Sequence, residues 1–243
     1  MTTVLKLLNK AYGRPKSFRA SDPVDELVRT VLSQNTNDRN SLGAFAVLKK
    51  HFRSWDALTE ADTRRIARLI RHAGLANIKA GRIKEILLEI KRREGRITLK
   101  RLKDADAGVG LRYLRSLKGV GPKTAACVLL FSFRKPVMPV DTHIFRVVKR
   151  LGIIGSKANI EEAHRILTEM AHQGLVPRRG LLRKPCSGSS PDSITADLIY
   201  NIHLGIIEHG RRTCKAQNPR CGFCVLYNLC RFKDKRLYKG DIN

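Results

Sequence analysis

The chain has 243 residues, 48 Lys and Arg against 21 Asp and Glu, and a formal net charge of +27. Its hydrophobic fraction of 42% suits a folded protein with a sizeable core, so the charge does not come from a disordered basic tail alone. Nine prolines and 18 glycines exclude collagen-like and linker-dominated chains, and no apolar stretch approaches the roughly 18 residues of a membrane span.

Segment 1–16 carries a short apolar patch broken by Lys6 and Lys10 and no small-residue cleavage site, so no secretion signal is read. The expected location is the cytoplasm, at the nucleoid in a prokaryotic cell. Beyond it the apolar period is helical. Val24, Leu27, Val28, Val31 and Leu32 mark a helix with Asp22 as N-cap and Pro23 at its first position. Ile83, Ile86, Leu87 and Ile90 mark another. Leu114 and Leu117 close a short helix before the turn Lys118-Gly119-Val120-Gly121-Pro122-Lys123-Thr124, and an apolar helix runs from Ala125 to Phe133. Pro136 and Pro139 interrupt the pattern. It resumes at Ile144, Val147, Val148 and Leu151, and again at Ala163, Ile166, Leu167, Met170 and Ala171. The stretch 176–192, rich in Pro, Gly, Ser and Arg, reads as a basic surface loop. Leu198, Ile202 and Ile206 mark a late helix ending near Gly210. No segment alternates with period two, so the expected class is all-α, with roughly ten helices.

The excess charge calls for a polyanion. Nucleic acid rewards each Lys or Arg placed on a phosphate by counterion release, and an anionic membrane surface is the other candidate. Cys214, Cys221, Cys224 and Cys230 crowd into 17 residues with the spacing C-x6-C-x2-C-x5-C. In a reducing compartment this is a metal-ligand pattern rather than a disulfide framework, and both a four-thiolate zinc site and an iron–sulfur cube take such a set. From Arg211 to Gly240 nine Lys or Arg residues face one acid, Asp234. Lys215 and Arg220, inside the first cysteine loop, are candidate phosphate contacts.

The turn holding Gly119 and Gly121 is no P-loop, because Pro122 separates Gly121 from Lys123-Thr124. It is no dinucleotide fingerprint either, because the third glycine is absent and no strand precedes it. A hairpin between two helices whose bare amides hold a DNA phosphate passes both tests. Lys123 falls in the first turn of the following helix, where it reads either as a solvated lysine or phosphate contact, or, because the dipole disfavours a cation there, as a neutral, nucleophilic amine. Eighteen residues on, Asp141 stands where the next apolar stripe begins. It reads as an N-cap, and a capping carboxylate is also rigidly held for proton transfer or for stabilising a developing cation.

The motifs L-K-G-V-G-P-K-T-A at 117–125, V-D-T-H-I-F-R-V at 140–147, H-G-R-R-T-C at 209–214 and the cysteine run resemble the endonuclease III family of DNA glycosylases, within the helix–hairpin–helix Gly/Pro-Asp superfamily. Weaker similarity covers V-L-S-Q-N-T-N-D at 31–38 and G-L-A-N-I-K-A at 74–80. The resemblance implies a bilobal all-α fold: a helical barrel, 23–137, carrying the hairpin, and a cluster domain, 1–22 with 138–243. It implies a [4Fe–4S] cluster on Cys214, Cys221, Cys224 and Cys230, Lys123 as Schiff-base nucleophile and Asp141 as catalytic aspartate. It also implies a monomer acting on double-stranded DNA that contains damaged bases or abasic sites. Leu75 matches the residue that wedges the opposite strand. The family often reads S-A-Q-A-T-D where this chain has Ser33-Gln34-Asn35-Thr36-Asn37-Asp38, so the gap-filling glutamine falls on Asn35, with Gln34 beside it. The activity implied is base removal with β-elimination, on oxidised pyrimidines. The rivals are a glycosylase for mismatched or deaminated bases and a non-catalytic metal-stapled DNA-binding protein.

Overall fold

The computed structural model describes residues 2–15, 18–172 and 191–235. The basic stretch expected at 176–192 lies almost wholly outside these. Among the described residues there are eleven α-helices, four short 3-10 helices and no strand. The chain divides into two compact units, Ala20–Phe133 and Met1–Arg19 with Arg134–Asn243.

The first unit contains α2 (Pro23–Ser33), α3 (Asp38–His51), α4 (Trp55–Glu60), α5 (Thr63–Leu69), α6 (Ala76–Glu94), α7 (Ala107–Arg115) and α8 (Pro122–Phe133). Asp22 caps α2 by accepting from the N–H groups of Val24 and Asp25, and Pro23 occupies the first position as expected. The fully buried Leu27, Val31 and Leu32 face inward, and burial of each such side chain contributes about 1.5–3 kcal/mol. Helix α8 is buried from Thr124 to Leu130 and packs on α2 and α7. Its approach to α7 is close at Gly110, where a Cβ would stand 2.8 Å from Leu129 Cδ2. Helix α7 ends at Arg115, so Leu117 belongs not to that helix but to the turn, where its carbonyl accepts from Val120 N–H at 3.0 Å. Asp106 supplies the N-cap that sets the start of α7.

The second unit contains α1 (Thr2–Tyr12), α9 (Thr142–Arg150), α10 (Ile160–His172) and α11 (Pro191–Arg212). The apolar patch that Lys6 and Lys10 interrupt lies within the continuous helix α1. Val4, Leu5 and Leu8 form its buried stripe, while Lys6 and Lys10 lie off it. Helix α11 packs against α1, α9 and α10. At Gly210 a Cβ would come within 2.9 Å of His143 Cβ, so the bare glycine lets α9 and α11 approach closely. No described helix is long and apolar enough to cross a membrane.

Candidate active site and metal centre

In the unit Ala20–Phe133 the hairpin between α7 and α8 is set by its glycines. Gly119 has φ +86°, which disfavours any side chain, and Arg82 from α6 lies across it, with Nε 2.6 Å from where a Cβ would stand. Gly121 has open space there. Pro122 and the half-buried Lys123 form the first turn of α8. Gly119→Ala is expected to destabilise the protein by about 1–2 kcal/mol, the cost of a left-handed non-glycine residue. Gly121→Ala should change stability by less than about 0.5 kcal/mol, and urea unfolding of the two variants checks both.

Two further turns lie beside each other in this unit. Gln34 ends α2 and Asn35 follows at φ 51°, exposed. Leu75, at φ 50° and 51% exposed, precedes α6. A Cβ at Gly74 would stand 4.0 Å from the Asn35 carbonyl oxygen. The Gln34 side chain is anchored to protein: its Oε1 accepts from Arg82 Nη1 at 2.7 Å and its Nε2 donates to Thr124 Oγ1 at 3.4 Å. Arg82 thus ties this turn to the hairpin, and Thr124 ties it to the residue after Lys123. The structure therefore gathers Gln34, Asn35, Leu75, Gly119, Gly121 and Lys123 in one unit.

Asp141 belongs to the other unit. It caps α9, its Oδ1 accepting from Ile144 N–H at 2.7 Å. The cysteine loop is welded to the same helix. Arg146 donates from Nε to the Cys214 carbonyl at 2.9 Å and from Nη2 to the Gly210 carbonyl at 2.9 Å. Burial lowers its pKa from the usual guanidinium value. Arg150 Nη1 donates to the Lys215 carbonyl at 2.7 Å and to Cys214 Sγ at 3.3 Å, and its carbonyl accepts from Arg231 N–H at 2.9 Å. The side chains of Lys215 and Arg220 are exposed.

All four cysteines line one partly open cavity, together with His209 and Arg150. The described cysteines are free of disulfides, and among the described residues no group of three or more His, Cys, Asp or Glu side chains stands ready to hold a metal ion. The chemistry of the donor set nevertheless fits a four-thiolate cluster. Burial, reinforced by the charges of Cys214, Cys230 and Cys221, pushes the Cys224 thiol up to about 11. Four thiolates on one cavity therefore need a cationic core among them. His209, 2% exposed, is pushed down to about 4 by burial, so its imidazole is neutral at pH 7. Its Nδ1 lies 2.8 Å from the Tyr12 hydroxyl and its Nε2 3.7 Å from Cys224 Sγ. A neutral ring accepting from Tyr12 presents Nε2–H to the sulfur.

Residues 28–173 match the HhH-GPD superfamily of base excision DNA repair proteins. The chain is 35% identical over 228 residues to endonuclease III of Thermotoga maritima, a match that spans 94% of this chain and 91% of that protein. The chain belongs to the endonuclease III family. It is also 30% identical over 216 residues to endonuclease III of Escherichia coli, covering 88% of this chain and 86% of that one. Its fold is similar to that of a solved endonuclease III trapped as a covalent intermediate with DNA, with TM-score 0.71 and 26% identity over 95% of this chain and 93% of the other. A thermostable thymine-DNA glycosylase shares the fold, with TM-score 0.66 at 21% identity over 97% and 95% of the two chains. This endonuclease III relative is a base-excision-repair DNA glycosylase.

Sequence reasoning passed over Lys79, Arg82, Arg146, Arg150 and His209. His209, Arg146 and Lys79 lay inside motifs that resemble the family, at 209–214, 140–147 and 74–80, and Lys79 stands on the buried stripe of α6 with Ile83, Ile86 and Ile90. A cation on an apolar stripe is the signal that marks it.

Proposed function

We propose that this endonuclease III relative is a bifunctional DNA glycosylase and AP lyase that removes oxidised pyrimidines from duplex DNA. The observation that carries the reading is the half-buried Lys123 in the first turn of α8, directly after the Gly119–Gly121 hairpin. The neutral amine of Lys123 attacks C1′ of a flipped nucleotide; the N–C1′ bond forms, the bond from C1′ to the base breaks, and the base leaves with a proton. Opening of the sugar gives a protonated imine, which acidifies the C2′ proton. Removal of that proton expels the 3′ phosphate by β-elimination. Asp141, held rigid by its cap, stabilises the cation that develops at the sugar and relays protons. The hairpin amides of Gly119 and Gly121 hold a backbone phosphate, and the exposed Lys215 and Arg220 hold others. Asn35 fills the gap left by the base, and Leu75 wedges the opposite strand. The trapped covalent intermediate of a solved relative with DNA supports a covalent route.

Cys214, Cys221, Cys224 and Cys230 would hold a [4Fe–4S] cluster, which when bound neutralises and cross-links four thiolates. Arg146 and Arg150 transmit that order to α9, whose first residue follows Asp141. Purified anaerobically, the protein is expected to be yellow-brown with about four irons per chain, as such a cluster requires. A colourless preparation with one zinc and little iron contradicts the assignment.

DNA affinity is expected to fall steeply with salt. For about six phosphate contacts, log K drops against log[salt] with a slope near −5, and charge reversal at Lys215 or Arg220 weakens binding to all sequences alike. A flat salt titration contradicts this use of the +27 charge.

A panel of single-lesion duplexes tests the function. Excision of an oxidised pyrimidine with a nick on its 3′ side is the expected result. Excision without a nick removes the lyase, preference for a mismatched or deaminated base removes the substrate assignment, and binding with neither step removes the catalysis.

A further inference from the structure

Lys79 is the only Lys or Arg among the described residues that is buried, at 1% exposure. Its Nζ donates to the Leu32 carbonyl at 2.8 Å and to the Ala73 carbonyl at 2.7 Å. Both acceptors end helices: Leu32 sits in the last turn of α2, and Ala73 closes the 3-10 helix Arg71–Ala73. Carbonyls at helix C-termini carry partial negative charge and lack intrahelical partners, so one ammonium satisfies two helix ends. Burial alone would push the amine toward its neutral form, and it lowers the pKa.

The two carbonyls stand immediately before two exposed turns. Two residues beyond Leu32 begins the turn with Gln34 and the left-handed, exposed Asn35. Two residues beyond Ala73 comes the left-handed, exposed Leu75. The Lys79 N–H also donates to the Leu75 carbonyl, at 2.9 Å. Gly74 and the Asn35 carbonyl are neighbours, so the two turns meet. An apolar side chain in this place would leave two buried carbonyls unsatisfied, and a carboxylate would repel them.

We propose that Lys79 is a positioning residue that clamps the turn at Gln34–Asn35 to the turn at Gly74–Leu75, so that both enter the duplex as one preassembled unit. The inference rests on the glycosylase reading above. Extracting a paired base requires the gap to be filled on one strand and the other strand wedged together, and preorganisation lowers the cost of that step. An abasic site has no base to extract and depends less on the clamp.

The test compares wild type with Lys79→Met, an unbranched side chain one atom shorter that removes the ammonium donors, on an oxidised-pyrimidine duplex and on an abasic duplex. Excision of the paired lesion is expected to fall at least about ten-fold more than abasic cleavage. Equal losses on both substrates make Lys79 merely structural and overturn the proposal. A wild type inert on both substrates instead overturns the glycosylase reading. Asn35→Ala, Leu75→Ala and the double variant, all surface changes, test the same claim in the native background, even if Lys79→Met does not fold. Their losses on the paired lesion are expected to depart from simple multiplication by about three-fold or more, as coupled sites do. Losses that multiply show independent turns and overturn the clamp.

Discussion

Lys123→Gln is expected to abolish strand cleavage and borohydride trapping while abasic-duplex binding persists. The substitution removes the amine but leaves the backbone of Gly119 and Gly121, and with it the amides proposed to hold a phosphate. Glutamine is as good a helix former as lysine, so α8 keeps its first turn and its buried face from Thr124 to Leu130. It also drops a cation from the positive end of a helix, which is neutral to stabilising. A stable protein that binds and does not cut is therefore the predicted phenotype. Gel shifts and denaturing gels on the same abasic duplex measure the two properties. Persistent trapping in this variant identifies a different amine as the nucleophile.

Asp141→Asn is expected to cut base excision by at least about 10², the typical contribution of a positioned proton-transfer group. The helix should survive, because asparagine caps as well as aspartate and can keep the 2.7 Å bond from Ile144 N–H. The loss then reports the charge of the carboxylate and not its cap. Single-turnover kinetics on a lesion duplex, with thermal unfolding as control, separate the two. A variant that excises at the wild-type rate shows that Asp141 is a cap and nothing more.

The fold was legible where a helix carries a full apolar stripe with a capping residue ahead of it. Helices α2 and α9 announce themselves through Asp22 and Asp141, followed by residues spaced on one face. Helix α1 did not, because Lys6 and Lys10 read as interruptions when they are the polar side of an amphipathic helix. Helices α4 and α5, six and seven residues long, are too short to show a period. The motifs of the candidate site were legible because glycine, proline, lysine and cysteine mark turns and candidate ligands at fixed spacing. The contacts by which other residues hold those motifs in place were not. Lys79 reaches a carbonyl 47 positions away and Arg146 one 64 positions away. Their partners are backbone oxygens, which every residue possesses, so no residue type at a given spacing betrays the contact.

The most direct measurement is peptide mapping of the borohydride-trapped adduct. Wild-type protein is incubated with an abasic duplex and borohydride, digested, and the modified lysine located by mass spectrometry. The account predicts a single adduct on the peptide that carries Lys123. An adduct on any other lysine or on the N-terminal amine, or none at all with an intact and bound protein, contradicts it.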